Sequence, residues 1–159
     1  APTELDNMLR RQKMHGYVHD ELACFSGGIQ GNAGLFGCAN DLAKMCQMWL
    51  QGGDYGGIRV LKQSTVDLFT TTKSPTCRRG LGFDKPDAEN PENSPTCSCA
   101  DASVFGHLGF TGTVFWVDPR NDMVFVFLCN RVDPSRSNAA FDELEIRPRL
   151  FEAFYRNLR

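Results

Sequence analysis

The sequence predicts an α+β fold in which an antiparallel β-sheet packs against helices. One observation is a pair of apolar runs rich in β-branched and aromatic residues, 114–117 and 123–128, with a polar turn at 118–122 between them. Runs of this kind around a short polar turn predict a β-hairpin. The other observation is a helical spacing of apolar residues before and after the hairpin in the sequence, which predicts amphipathic helices. A chain of 159 residues is long enough to bury a core as one domain.

Three helices are predicted. The first spans about 40–51, where Asn40 is a suitable N-cap and a Gly-Gly pair follows the last turn. A short second helix, 64–69, opens with a Ser-x-x-Asp sequence that resembles a capping box. The last helix is predicted over about 142–157, and Pro148 is expected to kink it or to end its first segment. The core-facing residues are Leu42, Met45, Cys46, Trp49 and Leu50 in the first helix, and Leu144, Leu150, Phe151, Phe154 and Leu158 in the last.

The other segments are predicted to be mainly irregular. Residues 1–30 are polar, with a helical turn expected at 6–11. The glycine-rich stretch 27–37 is predicted to be a close-packed loop, and it does not suit phosphate because no Gly-Lys-Ser/Thr follows it. Residues 78–83 are predicted to form a strand. The stretch 84–102 is rich in Pro, Asn, Ser and Asp, and predicts a long exposed loop that is either functional or disordered.

The composition excludes several classes of protein. It is 42% hydrophobic and 23% charged, which is typical of a globular domain rather than a disordered chain. A net charge of -2 gives no reason to expect a nucleic acid or an anionic membrane as a partner. No apolar run is long enough to span a bilayer. Because the sequence opens abruptly at Ala1, we expect it to be a piece of a longer protein.

The seven cysteines give no single answer about function. Cys38 and Cys46 fall in or beside the first predicted helix and Cys129 in a predicted strand, where a free cysteine behaves as a small hydrophobic residue. Cys97 and Cys99 lie in the polar loop and are expected either to bridge or to bind a metal. Paired zinc ligands usually have two residues between them and need a second pair, so the metal is the less favoured alternative.

One short stretch, 105–113, is where we expect chemistry. It places three glycines around His107, and a glycine inside a strand pattern often marks the close approach of another backbone or of a ligand. A histidine there can donate, accept or titrate near neutral pH. The alternative is a histidine whose ring is satisfied by neighbouring backbone carbonyls.

Several sequence motifs resemble those of one enzyme superfamily. These are His-Leu-Gly-Phe-Thr-Gly at 107–112, the strand that ends in Val-Asp-Pro at 117–119, and the run 124–131. They resemble the C-terminal part of the β-lactamase-related serine hydrolases, which include class C β-lactamases, penicillin-binding DD-peptidases and related esterases. The segments 31–36 and 52–57 are similar to the middle region of the same proteins.

The resemblance covers about 18–159 and carries an expectation for the fold. It implies a fragment of the β-lactamase/transpeptidase-like fold, a three-layer α/β/α arrangement with an antiparallel sheet between packed helices. Residues 1–159 would then be the C-terminal fragment of one such domain. The sequence is similar in particular to the β-lactamase-like domain at the end of some bacterial glycoside hydrolase family 3 fusions.

The resemblance also implies roles for the 107–110 stretch. These enzymes transfer acyl groups through a serine, without a metal or an organic cofactor. His107 would form a polar, possibly cationic wall of the cleft, and Gly109 would let the acyl part of the substrate approach the strand. The backbone N–H of Phe110 would be an oxyanion-hole donor, a type of group whose loss costs about 10²–10³-fold in turnover.

Three further residues are expected to contact substrate. Leu108 stands where the superfamily usually has a threonine whose hydroxyl contacts the carboxylate of β-lactam substrates, which disfavours β-lactams in particular. Thr111 follows in the same stretch. Asn32 lies in the loop that the resemblance places near the cleft, although a packing role for this loop remains open.

The superfamily's nucleophile motif is missing from this sequence. No serine is followed by a lysine three residues later, and the Tyr-x-Asn at 155–157 lies after the third motif, so we interpret it as a coincidence. The catalytic serine, its lysine and the tyrosine motif are expected to precede Ala1. This predicts a serine hydrolase that cleaves an amide or ester bond, whose isolated C-terminal piece is inactive. The alternative is a non-catalytic structural or interaction module of a larger glycoside hydrolase fusion.

The expected partners follow from this interpretation. The longer protein would act on a small-molecule or peptidoglycan-like substrate, and the resemblance implies an exported or periplasmic bacterial location. The strand at 123–130 would be an open sheet edge in the fragment, and open edges are templates for pairing. We therefore expect either self-association or pairing with the upstream part of the same protein.

Overall fold

The computed structural model describes residues 1–71 and 73–158. It contains a three-stranded antiparallel sheet, two short hairpins and five helices within those ranges. The strands are β1 (Pro2–Asp6), β2 (Gln12–His15), β3 (Asp54–Tyr55), β4 (Ile58–Arg59), β5 (Phe105–Leu108), β6 (Val114–Asp118) and β7 (Met123–Phe127). The helices are α1 (Glu21–Phe25), α2 (Ala39–Leu50), α3 (Gln63–Thr71), α4 (Ala140–Glu143) and α5 (Ile146–Tyr155).

The predicted hairpin forms two adjacent strands, β6 and β7, of the main sheet, whose strand order is β5-β6-β7. Trp116 of β6 pairs with Phe125 of β7, and on its other side with Gly106 of β5. Asp118 shapes the turn, because its Oδ1 accepts hydrogen bonds from the N–H groups of Arg120 at 2.9 Å and Asn121 at 3.2 Å. The hairpin prediction is confirmed.

Alternation along the strands gives the sheet two apolar faces. On one face Val114 and Trp116 pack with Phe151 of α5. On the other face Phe115 and Val117 pack with α2. Helices therefore cover both faces of an antiparallel sheet, which confirms the predicted three-layer α/β/α arrangement.

Helix α2 matches its predicted position within one residue at each end. Cys46 lies fully buried against the sheet, and burial raises the pKa of its thiol to about 12. Two glycines then end the helix, as predicted. Gly52 has a φ of 64°, and the N–H of Gly53 donates to the carbonyl of Met48 at 2.8 Å.

The last predicted helix is divided into α4 and α5, and the break comes before Pro148 rather than at it. Glu145 lies between them in the left-handed conformation, with a φ of 50°. Pro148 falls in the first turn of α5, where its missing N–H leaves no hydrogen bond unmade. The predicted core face is only partly correct: Phe151 is fully buried, whereas Leu144 is 54% exposed.

The prediction for the N-terminal segment is wrong. Residues 2–15 form the β1–β2 hairpin, not an irregular segment with a helical turn. Asp6 makes the turn, because its carboxylate accepts from the N–H groups of Met8 and Leu9, each at 2.9 Å. The hairpin is attached to the segment after β7 by a hydrogen bond from the N–H of Leu5 to the carbonyl of Pro134 at 3.0 Å.

The predictions for 78–102 are partly wrong as well. Residues 78–83 form bends and not a strand, and only Asp84 pairs with the sheet, as a single bridge to Gly106. The loop 84–102 is irregular as predicted, with one 3-10 turn, but it is not exposed throughout, because Asp84 and Cys97 are buried.

Cys97 and Cys99 form a disulfide, so the bridge is the alternative that the structure shows. Within the described ranges, no group of His, Cys, Asp and Glu side chains is arranged to hold a metal ion. No helix in the same ranges has the length and apolar character needed to cross a bilayer.

Candidate functional site

His107 lies on β5, half-buried, with both ring nitrogens in hydrogen bonds. Its Nε2 lies 2.9 Å from Nη1 of Arg79, and its Nδ1 lies 2.7 Å from the carbonyl oxygen of Leu108. A guanidinium group can only donate, so Nε2 is the acceptor in the first contact. The proton therefore lies on Nδ1, which donates to Leu108. In this arrangement the imidazole is neutral and Arg79 carries the positive charge.

Arg79 is positioned by a fully buried carboxylate, that of Asp84. The Nη2 of Arg79 lies 3.4 Å from Oδ2 of Asp84. Arg78 binds the same carboxylate through two nitrogens, at 2.7 and 3.1 Å, and this contact raises the pKa of the Arg78 guanidinium. Because the backbone of Asp84 also bridges to Gly106, its carboxylate holds the two arginines beside β5.

A second shared carboxylate, that of Asp142, lies at the other end of the motif. It binds Arg147 at 2.8 Å and Arg131 at 3.4 Å. Arg147 in turn donates to the carbonyl of Gly109 at 3.4 Å, and Arg131 donates to the carbonyl of Phe110 at 2.9 Å. Asp142 thus orients two arginines, and each of these arginines binds one of two successive carbonyl groups after β5.

Among the described residues, the turn after β5 offers no acceptor to the N–H of Phe110. The N–H of Gly109 donates to the carbonyl of Thr113 at 2.8 Å, and the N–H of Gly112 donates to the carbonyl of Gly109 at 3.0 Å. No acceptor within residues 1–71 and 73–158 takes a hydrogen bond from the N–H of Phe110. The N–H of Phe110 is therefore available as a donor, and its part in an oxyanion hole stays a prediction.

The ring of Phe110 is 57% exposed and lies among three polar side chains. The ring of His19 stacks on it with centroids 5.7 Å apart. The guanidinium carbons of Arg131 and Arg136 lie 4.9 and 5.8 Å from its centroid. Contacts of this length are cation–π interactions, and they hold the ring at the surface.

Two of the residues around Phe110, His19 and Arg136, are connected through the buried Glu4 of β1. Its carboxylate lies 3.0 Å from Nε2 of His19, and it accepts from Nε of Arg136 at 2.7 Å. The hydrogen bond from Arg136 is the main cause that lowers the pKa of Glu4 to about 2. Arg136 also reaches Glu21 of α1, at 2.5 Å, so the N-terminal elements and the segment after β7 meet at this site.

The sequence matches the Beta-lactamase family over residues 2–146, which is most of the chain. The chain belongs to the β-lactamase family. It has the β-lactamase-like fold, with small antiparallel sheets and packed helices, as the resemblance implied, and the family is one of serine hydrolases.

The relatives of this β-lactamase-family chain are considerably longer. A protein of Escherichia coli (strain K12) named "Putative D-alanyl-D-alanine carboxypeptidase" is 37% identical over 141 residues, which cover 84% of this chain and 32% of that protein. A protein of the same name from Salmonella newport (strain SL254) is 38% identical over 125 residues, 77% of this chain and 28% of that protein. The chain thus spans about a third of the length of the curated relatives it matches.

One solved structure has a weaker likeness. The crystal structure of a protein described as "putative beta-lactamase" from Bacteroides dorei DSM 17855 is 17% identical. The matched region covers 65% of this chain and 37% of the Bacteroides dorei chain, with a TM-score of 0.39. A likeness at this level carries no argument about function.

The residues predicted to contact substrate do not all lie with His107 in this β-lactamase-family chain. Leu108 faces the opposite side of the sheet, where it packs in the core with Val114. The carbonyl of Thr111 accepts from the N–H of Arg131 at 2.8 Å. Asn32 is exposed and donates to Asp20 at 3.3 Å. Substrate contacts by Leu108, Thr111 and Asn32 stay predictions, as do the roles of His107, Gly109 and Phe110.

Two concave surfaces lie elsewhere on the molecule. One, of about 470 Å³, is lined by Trp49, Val66 and Lys85 among others, and one, of about 180 Å³, by Leu108 and Pro148 among others. The expected concave site around His107 and Phe110 coincides with neither. The sequence analysis also did not assign five charged residues to the candidate site. Only one feature of the sequence could have pointed to any of them, namely the Arg-Arg pair a few residues before a single aspartate. These residues are Arg79, Asp84, Arg131, Asp142 and Arg147.

Proposed function

We propose that this chain is the C-terminal part of a serine hydrolase domain that cleaves an amide or ester bond through an acyl-serine intermediate. The observation that carries the proposal is the N–H of Phe110 in the turn after β5, which has no acceptor among the described residues. Arg131 and Arg147 hold this turn by donating to the carbonyl groups of Phe110 and Gly109. A donor fixed before the reaction stabilises developing negative charge without reorganisation. Membership of the β-lactamase family supports the acyl-serine route.

The substrate class is inferred from the relatives. Two of them bear the name "Putative D-alanyl-D-alanine carboxypeptidase", which points to a peptide that ends in D-alanine. Such peptides belong to the cell wall, so an exported or periplasmic location is part of the proposal. Because no serine here precedes a lysine by three residues, the nucleophile would come from an upstream part of the same domain. Residues 1–159 alone would then be inactive, since an oxyanion donor without a nucleophile accelerates attack by water only modestly.

Incubation with a fluorescent penicillin and with an activated ester, followed by intact-mass measurement, tests this proposal. We expect no adduct on residues 1–159 alone and one acyl group on a serine of the full product of the gene. In that product Phe110→Pro removes the N–H and should lower turnover about 10²–10³-fold, whereas the matched Phe110→Ala keeps it. An adduct on the short chain, or equal turnover in the two variants, would contradict the proposal.

A second function is favoured by one observation, the missing Ser-x-x-Lys. The chain would then be a non-catalytic structural or interaction module, and a glycoside hydrolase fusion would be its setting. The same experiment separates the two functions, because a full gene product that holds no reactive serine would give no adduct.

We further propose that the outer edge of β7 pairs with the upstream part of the same protein, or with a second copy when the chain is alone. In the part of the chain that the structure describes, β7 is the last strand of its sheet. Helices α2 and α5 cover its faces, so its free N–H and C=O groups are what remains open. Sedimentation at micromolar concentration should show a dimer, with slow hydrogen exchange at Val124 and Val126. A monomer in which the amides of Val124 and Val126 exchange rapidly would refute this pairing.

A further inference from the structure

Lys85 is a buried lysine whose side chain has no ion pair within the described part of the chain. Only 6% of the residue is exposed, and its Nζ donates to the backbone carbonyl of Thr70 at 2.5 Å. The neighbouring carboxylate of Asp84 accepts from the backbone N–H of Lys85 and is bound by Arg78, so it does not serve the side chain. A buried ammonium without a counter-ion is costly, and the neutral amine avoids this cost.

The surroundings of Nζ favour the amine over the ammonium. The carbonyl of Thr70 lies in the last turn of α3 without a partner in the helix, and it can accept from an amine as well as from an ammonium. Burial is the main cause that lowers the pKa of Lys85, and the positive charge of Lys73 lowers it further. The nearest candidate for a counter-ion is Asp67, which is exposed, accepts from Nε2 of Gln63 at 2.7 Å and forms no ion pair with Nζ.

Lys85 lines the larger of the two cavities, of about 470 Å³. Cavities that bind small molecules usually have volumes of about 300–1,000 Å³. Apolar side chains from three elements line this one, namely Trp49 of α2, Val66 of α3 and Phe105 of β5. The ring of Trp49 is positioned by an edge contact with that of Phe83, with centroids 5.2 Å apart. The cavity therefore offers aromatic and aliphatic walls to a flat apolar ligand, with an amine beside it.

We propose that Lys85 is a reactive amine, and that the cavity beside it binds an aldehyde with an apolar aromatic body, which Lys85 converts to an imine. The lone pair of Nζ attacks the carbonyl carbon, and one N–H proton passes to the carbonyl oxygen to give a carbinolamine. The second N–H proton leaves with the hydroxyl group as water, so the step needs no oxidant or reductant. A lysine desolvated in an apolar pocket is suited to this reaction. His107 and Phe110 do not line the cavity, so the site is separate from the one proposed for acyl transfer.

The test is reductive labelling of the chain with 2-naphthaldehyde and sodium cyanoborohydride near neutral pH, followed by peptide mapping, which separates adducts on lysines from one on the α-amino group of Ala1. Lys85 should take about tenfold more label than Lys62 or Lys73, which are both exposed. At about pH 10 solvated ammonium groups also lose their protons, so the preference should shrink. Naphthalene has the same apolar body without the carbonyl, and it should slow the labelling of Lys85 but not that of Lys62.

Lys85→Arg keeps a donor for the carbonyl of Thr70 but has no amine that can form an imine, so it should lose the preferred label. Lys62→Arg is the matched control and should label at Lys85 like the wild type. Equal labelling of Lys85 and Lys62 in the wild type near neutral pH, or labelling of Lys85 that naphthalene does not slow, would overturn the inference. These wild-type measurements decide the question even if Lys85→Arg does not fold.

The same labelling of the full product of the gene shows whether the cavity stays open there. Lys85 should again be the preferred lysine, and loss of its label would overturn the inference, because upstream residues would then cover the cavity. Imine formation at Lys85 needs no catalytic serine, so the acylation experiment can fail while this site still reacts. Failure at Lys85 would equally leave the proposed hydrolase in place.

Discussion

Replacement of Phe151 by alanine is expected to lower the free energy of unfolding by about 3–5 kcal/mol. Phe151 is fully buried, and its ring centroid lies 6.1 Å from that of Trp116, 5.1 Å from that of Phe125 and 4.9 Å from that of Tyr155. It joins α5 to one face of the sheet, so its removal leaves a cavity between two layers that cannot close easily. Equilibrium unfolding in urea measures the change.

The matched control is Phe154→Ala in the same helix. Phe154 is 43% exposed and contacts Phe125 only at the edge of the core, with centroids 5.7 Å apart. Its loss should cost about 1 kcal/mol, because nearly half of its surface is already in water and it leaves no enclosed cavity. Similar costs for the two variants would show that α5 does not pack through Phe151.

The sequence predicts well those elements whose signal is local. The hairpin of β6 and β7 follows from alternating apolar residues around the turn that Asp118 begins. Helix α2 follows from apolar spacing and from the Gly-Gly pair at its end. In both cases the residues that determine the element are its own, so no knowledge of distant contacts was needed.

Elements that depend on distant partners were missed. The β1–β2 hairpin is short and polar, and it is held by contacts from Leu5 to Pro134 and from Glu4 to Arg136, more than a hundred residues away. The segment 78–83 has strand-like residues but makes only the single bridge of Asp84. Its arginines bind that acid, and a side chain that folds back on its own segment does not favour a strand ladder.

The same reason explains what was found and missed at the candidate site. His107 was identified because three glycines near one histidine are visible in the sequence. Its partner Arg79 is 28 positions away. The structure shows two acids, Asp84 and Asp142, each of which binds two arginines. Of the two arginines on Asp84, one contacts the motif. Both arginines on Asp142 contact it. Asp84 acts through Arg79 on the histidine of the motif, and Asp142 acts through Arg131 and Arg147 on its turn.

Gly106→Ala is expected to cost about 3 kcal/mol of stability and to separate His107 from Arg79. A Cβ at this position would lie 2.0 Å from the carbonyl oxygen of Phe115 and 2.5 Å from Cε3 of Trp116. The obstacles are a backbone atom and a buried ring, so β5 must move away from β6 to admit the methyl group. Unfolding in urea gives the first effect, and the His107 ring signal gives the second.

Gly37→Ala is the control for the general cost of replacing a glycine. Nothing lies within 4 Å of its added Cβ and its φ is not positive, so the change should stay within about 0.5 kcal/mol. If Gly106→Ala were equally mild, β5 could not lie against Phe115 in this register, and the alignment of His107 with Arg79 would lose its structural basis. If stability fell but the His107 ring signal stayed unchanged, the Asp84 cluster alone would be sufficient to hold the histidine, and the strand would contribute only to the fold.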